Sequence, residues 1–310
     1  MKVLVTCPPM LRNLDEFRPR FERRAIEVEA PRVVQALTEP DLMRLVPRCD
    51  GWIIGDDPAT QAVFAAGKAG RLKAAVKWGV GIDNVDLEAA RALGIPITNT
   101  PSLFGKEVAD LAMAYVAALA RQFVAIDRGV RAGDWPKPSG ISLEGRTVAL
   151  VGYGDIGRNT ARRLLAAEMR VVAYDPVLVA GKRPPAIDVA VWPERVEEAD
   201  FVVLTCALTR ETRHILNATS LSRMRPGVRI VNVARGALID EPALLGALES
   251  GHVSGAALDV FEEEPLAADS PMRRFDQCVL GSHNGSNTVD AVRRASERAI
   301  ELLFGFLGVS

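Results

Sequence analysis

The sequence predicts an α/β protein built from two doubly wound parallel-sheet domains, and three observations carry that expectation. Short β-branched runs alternate with amphipathic helical segments along the whole chain, the pattern of βαβ units. The runs fall into two series, separated by a long apolar helical segment from about Val108 and a turn-rich stretch, GDWPKPSG (133–140). A length of 310 residues with 48% hydrophobic content is more than one core usually uses.

The first series comprises KVLVT (2–6), AIEV (25–28), GWIIG (51–55), AAVKW (74–78) and IPIT (95–98). The second comprises TVALVG (147–152), RVVAYD (170–175), DVAVW (188–192), FVVLT (201–205), RIVNV (229–233), GAALDV (255–260) and CVLG (278–281). A terminal helix, 288–307, follows the second series and is expected to return to the first domain.

Lys and Arg number 38 against 39 Asp and Glu, a formal net charge of −1 with both signs interspersed. No basic stripe points to nucleic acid and no acidic tail to a charge-driven partner. Between Val108 and Val124 the longest charge-free run is Leu111 to Ala120, whereas a membrane span needs about twenty residues. Cys7, Cys49, Cys206 and Cys278 show no CxxC spacing and the N-terminus runs straight into a strand-like segment, so a reduced, cytoplasmic chain without bound metal is expected.

The second series opens with VALVGYGDIGRNTARRL, in which Gly152, Gly154 and Gly157 form GxGxxG between a strand and a helix. The first glycine permits a tight turn and the second lets backbone approach a pyrophosphate. The third lets the helix pack closely, its N-terminal dipole toward the phosphates. Asp175 ends the next strand, eighteen residues after Gly157, where an acid accepts hydrogen bonds from a ribose and repels a 2′-phosphate. NAD is therefore expected rather than NADP.

Hydride transfer at a carbon that bears oxygen also moves a proton, and histidine is the usual carrier. Of three histidines, His283 follows the last strand of the nucleotide domain, at the strand ends where open α/β sheets bind ligands. His214 and His252 are expected in surface or capping roles. The same strand-end logic selects Arg235, in VNVARG, and Glu264, in LDVFEEEP. A guanidinium forks onto a carboxylate and polarises the adjacent carbonyl, and a carboxylate orients an imidazole and favours its charged form. Each has a plainer reading, Arg235 as a solvated residue and Glu262, Glu263 and Glu264 as a charged turn, and spacing leaves both open.

The chain resembles the D-isomer-specific 2-hydroxyacid dehydrogenase family over nearly its whole length. The resemblance rests on KWGVGIDNVD (77–86), VGYGDIGR (151–158), YDP (174–176), VNVARGALIDEPAL (231–244), ALDVFEEEP (257–265) and His283, in family order. It implies a Rossmann-type nucleotide domain, about 100–286, inserted in a flavodoxin-like substrate domain of 1–99 plus 287–310. It implies Arg235 as the substrate-binding residue, Glu264 as the partner of the imidazole and His283 as acid/base. Asp155 and Ile156 would meet the pyrophosphate through backbone, Asp175 the ribose, and Ala234 and Asp259 the nicotinamide carboxamide, with Cys206 and Val233 also at the cofactor. Gly79, Val80 and Gly81 would present N–H groups to the substrate carboxylate. Family dimers pair through the region around Val108 to Val130, and the apolar Leu111, Tyr115, Val116 and Leu119 there agree with a homodimer.

Two departures stand out: Thr205, Cys206 and Ala207 replace the usual His-x-Pro, and Ser282 replaces the proline before the histidine. The expected activity is interconversion of a small D-2-hydroxy acid and its 2-keto acid. The same family contains NAD(H)-sensing corepressors, a second reading, while a two-lobed ligand-binding protein would give no reason for the glycine fingerprint. A phosphorylated substrate would call for basic residues, for which Arg12, Arg44, Arg48 and Lys106 are candidates.

Overall fold

A computed structural model describes residues 1–181 and 184–309. In chain order the strands are β1 Lys2–Val5, β2 Glu27–Glu29, β3 Gly51–Ile54, β4 Ala74–Lys77, β5 Ile97–Asn99, β6 Thr147–Val151, β7 Arg170–Tyr174, β8 Asp188–Val189, β9 Phe201–Leu204, β10 Val228–Asn232, β11 Val253–Leu258 and β12 Val279–Leu280. The helices are α1 Pro8–Arg12, α2 Leu14–Glu22, α3 Glu39–Leu45, α4 Gln61–Ala69, α5 Leu87–Ala92, α6 Gly105–Arg121, α7 Phe123–Arg131, α8 Asp155–Ala166, α9 Pro176–Ala180, α10 Ala218–Arg223, α11 Glu241–Glu249 and α12 Val289–Leu307. The chain forms two compact units, Met1–Phe104 with Asn287–Ser310, and Gly105–Ser286.

The first unit holds a five-stranded parallel sheet in the order β2-β1-β3-β4-β5, the doubly wound order of flavodoxin-like domains. Residues of β3 and β4 are buried throughout, as strands covered on both faces must be. Trp52 is fully buried and donates its Nε1–H to Thr6 Oγ1 at 2.9 Å, so the polar tip is satisfied while the ring fills the core. α12 closes this unit from the far end of the chain. Its N-cap Thr288 accepts from the Ala291 N–H, and its apolar face, Val292, Ala295, Ala299, Ile300 and Leu303, is buried. Leu303 sits on Gly51 of β3, and Ser296 accepts the Nε1–H of Trp78 at 3.1 Å.

The second unit holds a seven-stranded parallel sheet in the order β12-β11-β10-β9-β6-β7-β8. Counted within the unit this is 3-2-1-4-5-6 with a seventh strand added at the far edge, the dinucleotide-binding order, whose switch point lies between β6 and β9. Its core is continuous from Val172 and Val202 through Ile230 to Ala256 and Leu258.

Several expected boundaries move. AIEV pairs two residues later, as Glu27–Glu29, and DVAVW contributes only Asp188 and Val189. β8 lies at the sheet edge with β7 its one neighbour, and the chain leaves it before Val191, which is half exposed. The apolar segment from Val108 to Val130 is not one helix: Gln122, at φ +55, separates α6 from α7. Tyr115, Val116 and Leu119 are buried within this unit, so they do not form the free apolar surface the sequence suggested; Phe123, Val130 and Trp135 do, at 47%, 43% and 77% exposure. Among the described residues no single helix is long and apolar enough to cross a membrane.

Candidate active site

β6 delivers the chain into the glycine turn. Gly152 has φ +93, where only glycine is free of strain, and its N–H donates to the Tyr174 carbonyl at 2.9 Å. A Cβ on Gly157 would lie 2.2 Å from the Gly152 carbonyl oxygen, so the third glycine lets α8 approach the turn. Gly154 is the exposed N-cap of α8, and Asp155 and Ile156 open the helix, so the first-turn N–H groups and dipole face outward at this point. Thr205 braces the turn, its hydroxyl donating to the Gly152 carbonyl at 2.9 Å, and Cys206 packs beside Gly152. Burial pushes the Cys206 thiol up to about 12.

Asp175, after β7, accepts the Tyr153 N–H on Oδ2 at 2.7 Å and the Val177 N–H on Oδ1 at 2.9 Å, capping α9. A capping role and a place beside the glycine turn are thus combined in one carboxylate, each of whose oxygens can accept a further bond.

At the end of β10, the fully buried Asn232 shapes the turn: its Oδ1 accepts the Ala234 N–H at 3.0 Å and its Nδ2–H donates to the Arg235 carbonyl at 2.8 Å. Val233 and Ala234 are buried, and the half-buried Arg235 donates from Nη1 to the Ala234 carbonyl at 2.8 Å. Gly236 then presses on the next strand's loop, since a Cβ there would fall 1.8 Å from the Phe261 carbonyl carbon. The Arg235 and Glu264 turns are therefore in direct backbone contact.

Glu264 uses both oxygens. Oε1 accepts the Phe261 N–H at 2.9 Å, which fixes the side chain to its own loop, and Oε2 lies 2.7 Å from Nδ1 of His283. His283 adopts φ +54, a left-handed conformation costing a non-glycine residue roughly 1–2 kcal/mol. Asp259 holds it there. This buried residue accepts the His283 N–H on its carbonyl at 2.6 Å, the Asn284 N–H on Oδ1 at 3.0 Å and the Gly285 N–H on Oδ2 at 2.8 Å. The Tyr115 hydroxyl donates to Oδ1 as well, at 3.4 Å, and burial followed by the Asp259 charge raises the Tyr115 phenol above its ordinary range. Three successive N–H groups wrapped around one aspartate explain how the histidine loop keeps its shape. A carboxamide contact from Asp259 would fall to Oδ2, the oxygen with acceptor capacity to spare.

In the other unit, the loop after β4 carries Gly79, at φ +127, Val80 and Gly81. The Gly79 N–H donates to Thr100 Oγ1 at 2.8 Å, and the Val80 carbonyl accepts from Asn99 Nδ2 at 2.8 Å. Gly79 is therefore not the open donor that the resemblance implied; its N–H is used to fix the loop, which carries forward Val80 and Gly81. Lys77, buried at the end of β4, donates to the Gly55 carbonyl at 2.5 Å and pairs with Asp56 at 2.9 Å. Of the basic candidates for a phosphate, Arg44 pairs with Asp41 on α3, Arg48 precedes β3 on the amino edge of its sheet, and Arg12 and Lys106 are exposed. His252 donates to the Leu221 carbonyl at 2.9 Å, a capping role.

Sequence reasoning missed Asn232 and the loop-holding part of Asp259. The signal available was an Asn within an apolar strand and an Asp at a strand end, residues that need a partner when buried.

A family model for the D-isomer specific 2-hydroxyacid dehydrogenase NAD binding domain matches residues 113–285, more than half of the chain. The chain is 37% identical over 279 residues to the hydroxypyruvate reductase of Thermotoga maritima, covering 88% of this chain and 90% of that protein. It is 38% identical over 275 residues to D-3-phosphoglycerate dehydrogenase 2, chloroplastic, of Arabidopsis thaliana, covering 87% of this chain but only 44% of the plant protein's length. The crystal structure of the TT0316 protein from Thermus thermophilus superposes with a TM-score of 0.89 at 37% identity, over 99% of this chain and 97% of that one. By fold, strand order, glycine turn and these matches, the chain belongs to the D-isomer specific 2-hydroxyacid dehydrogenase family, and its second unit carries that family's NAD binding domain.

Proposed function

We propose that this chain interconverts a small D-2-hydroxy acid and its 2-keto acid, with Arg235 binding the substrate, His283 as acid/base and Glu264 as its partner. The observation that carries the reading is the 2.7 Å contact between His283 Nδ1 and Glu264 Oε2. An imidazole held at Nδ1 by a carboxylate has one tautomer favoured and offers Nε2 as its working nitrogen.

NAD, when bound, supplies the hydride acceptor, or as NADH the hydride donor. The residues present fit it: the turn at Gly152 and Gly157 is closed to side chains, the first turn of α8 offers N–H groups to phosphate, and Asp175 stands beside the turn for a ribose. Cys206, Val233, Ala234 and Asp259 belong to the same proposed cofactor set. In keto-acid reduction, His283 gives the Nε2 proton to the substrate oxygen as hydride reaches the carbon; in hydroxy-acid oxidation it takes that proton back. Arg235 pairs with the substrate carboxylate and draws charge from the carbonyl. In the first unit, Val80 and Gly81 are proposed as backbone N–H donors to a carboxylate.

The named relatives act on hydroxypyruvate or phosphoglycerate, so a short-chain acid is the proposed substrate class. Work in a reduced cytoplasm fits four cysteines that are all free thiols. A homodimer covering Phe123, Val130 and Trp135 completes the proposal. The test is NADH oxidation with glyoxylate, hydroxypyruvate, pyruvate, 2-ketoglutarate and phosphohydroxypyruvate in turn. Turnover of at least one supports the reading, and no turnover of any removes it.

A further inference from the structure

His214 lies in the loop between β9 and α10, outside the set assigned above. Its backbone is left-handed, at φ +51, a conformation histidine does not adopt by preference. From there it reaches two other loops at once. Its N–H donates to the Ala237 carbonyl at 2.9 Å, two residues beyond Arg235. Its Nε2 lies 2.5 Å from Glu262 Oε1, two residues before Glu264. The anchor points are themselves held. The Glu262 N–H donates to Glu241 Oε1 at 2.8 Å, in the first turn of α11, and the His214 carbonyl accepts from Asn217 Nδ2 at 2.9 Å. Next to it, the Leu216 N–H donates to the Leu238 carbonyl at 3.1 Å and the Asp240 N–H to the Leu216 carbonyl at 2.8 Å.

His214 thus binds the Arg235 turn by backbone and the Glu264 turn by side chain. We infer that His214 is a positioning residue for the reaction, fastening the turn that carries Arg235 to the turn that carries Glu264. The inference rests on the roles proposed for Arg235, Glu264 and His283. Glu264 Oε2 lies 2.7 Å from His283 Nδ1 while Oε1 ties the side chain to the Phe261 N–H, so a small rotation of the Phe261–Glu264 turn would lengthen the contact with the imidazole. Releasing the Arg235 turn would displace the guanidinium from the substrate carboxylate, and misplacement on the scale of 1 Å costs up to about 100-fold.

The experiment compares the parent protein with His214→Ala, His214→Gln and Glu262→Gln. It measures keto-acid reduction against pH, KM for keto acid and for NADH, and, without substrate, the NMR titration of His283, readily assigned among three histidines. His214→Ala keeps the backbone bond to Ala237 but loses the one to Glu262, which unfastens the two turns from each other, and is expected to raise KM for the keto acid or lower kcat by about 10- to 100-fold. It should also move both the pH limb and the His283 titration toward acid, with KM for NADH within about twofold, the glycine turn being built on other strands. His214→Gln, which keeps an N–H donor toward Glu262, should recover part of the loss, and Glu262→Gln should shift the titration in the same direction by less. A His214→Ala protein that melts earlier but keeps the parental KM, pH limb and His283 titration would overturn the inference. Should that variant fail to fold, an unchanged titration in Glu262→Gln would overturn it equally. If the parent reduces no keto acid, the proposed activity falls, while the His283 titration still decides whether His214 governs that imidazole.

Discussion

Gly152 and Cys206 are in backbone contact across the switch point of the seven-stranded sheet: a Cβ on Gly152 would lie 2.6 Å from both the Cα and the N of Cys206. Clash and the φ of +93 act together, so Gly152→Ala must move either the turn or the β9 loop. The expected outcome is at least a tenfold loss of NADH affinity, about 1.4 kcal/mol, with a lower melting temperature. Fluorescence titration with NADH checks it; unchanged affinity in a folded variant would show that the turn does not hold the cofactor.

Cys206 gives a chemical probe of the same place. Its thiol is pushed up to about 12 by burial, while burial pushes Cys49 and Cys278 to about 11. The thiolate is the reactive form, so alkylation at pH 7.5 should be slow and should quicken as pH rises toward these values. Cys206 is the one of the four cysteines not fully buried, and iodoacetamide should reach it first. NAD should protect it. Peptide mass spectrometry with and without NAD decides, and labelling of Cys206 that ignores NAD removes it from the cofactor set.

Cofactor choice is expected to follow Asp175. In the proposed role its carboxylate receives the ribose, where a 2′-phosphate would meet like charge, so kcat/KM should favour NADH over NADPH. Asp175→Ala removes the repulsion but also the bonds to Tyr153 and Val177. The gap between cofactors should therefore narrow mainly through loss with NADH. Equal kcat/KM for both cofactors in the parent contradicts this.

For the Glu264 and His283 pair, the direction with pH follows from charge. In the proposed role of His283, reduction would draw on the protonated imidazole, a form that an adjacent carboxylate favours. Removing the charge with Glu264→Gln should move the descending limb of kcat/KM for reduction toward acid. His283→Ala should lose roughly 10²–10⁴-fold in kcat, the worth of one positioned acid/base. NADH binding should survive both. A parental pH profile in the Gln variant would separate Glu264 from the chemistry.

Assembly is testable on α7 and the segment that follows it. Trp135, at 77% exposure, with Phe123 and Val130, leaves apolar surface that a second copy would cover. Light scattering at micromolar concentration should give twice the 33.4 kDa chain mass, and Trp135→Glu should lower it. A parental mass near 33.4 kDa would reject the dimer.

Both sheets were legible because buried parallel strands are continuous apolar runs, and the glycine turn because φ, clash and helix start all constrain residue type locally. Of the proposed site, strand-end position and the chemistry of the set selected His283, Glu264 and Arg235, and the resemblance supplied the role of each. What escaped was long-range or conformational. Nothing in RQF marks the break at Gln122, which has neither Pro nor Gly; the Ile141 N–H donating to the Ala120 carbonyl shows the returning chain taking up a helix end. Asp259 and His214 act through loops distant in sequence, while Asn232 bonds within its own turn, where the sequence shows an Asn but not which groups its side chain will meet.

Because α12 lies on β3 and β4, the first unit lacks part of its own interior until that helix has left the ribosome. The intervening unit has every strand of its sheet by Leu280 and can complete its core while the earlier one still exposes the face under Leu303. The unit whose chain begins first thus needs the last helix of the chain to complete its core. A nick or stop codon before residue 289 would leave a finished nucleotide-binding half attached to a sheet with an uncovered apolar face, the kind of surface that chaperones and proteases recognise.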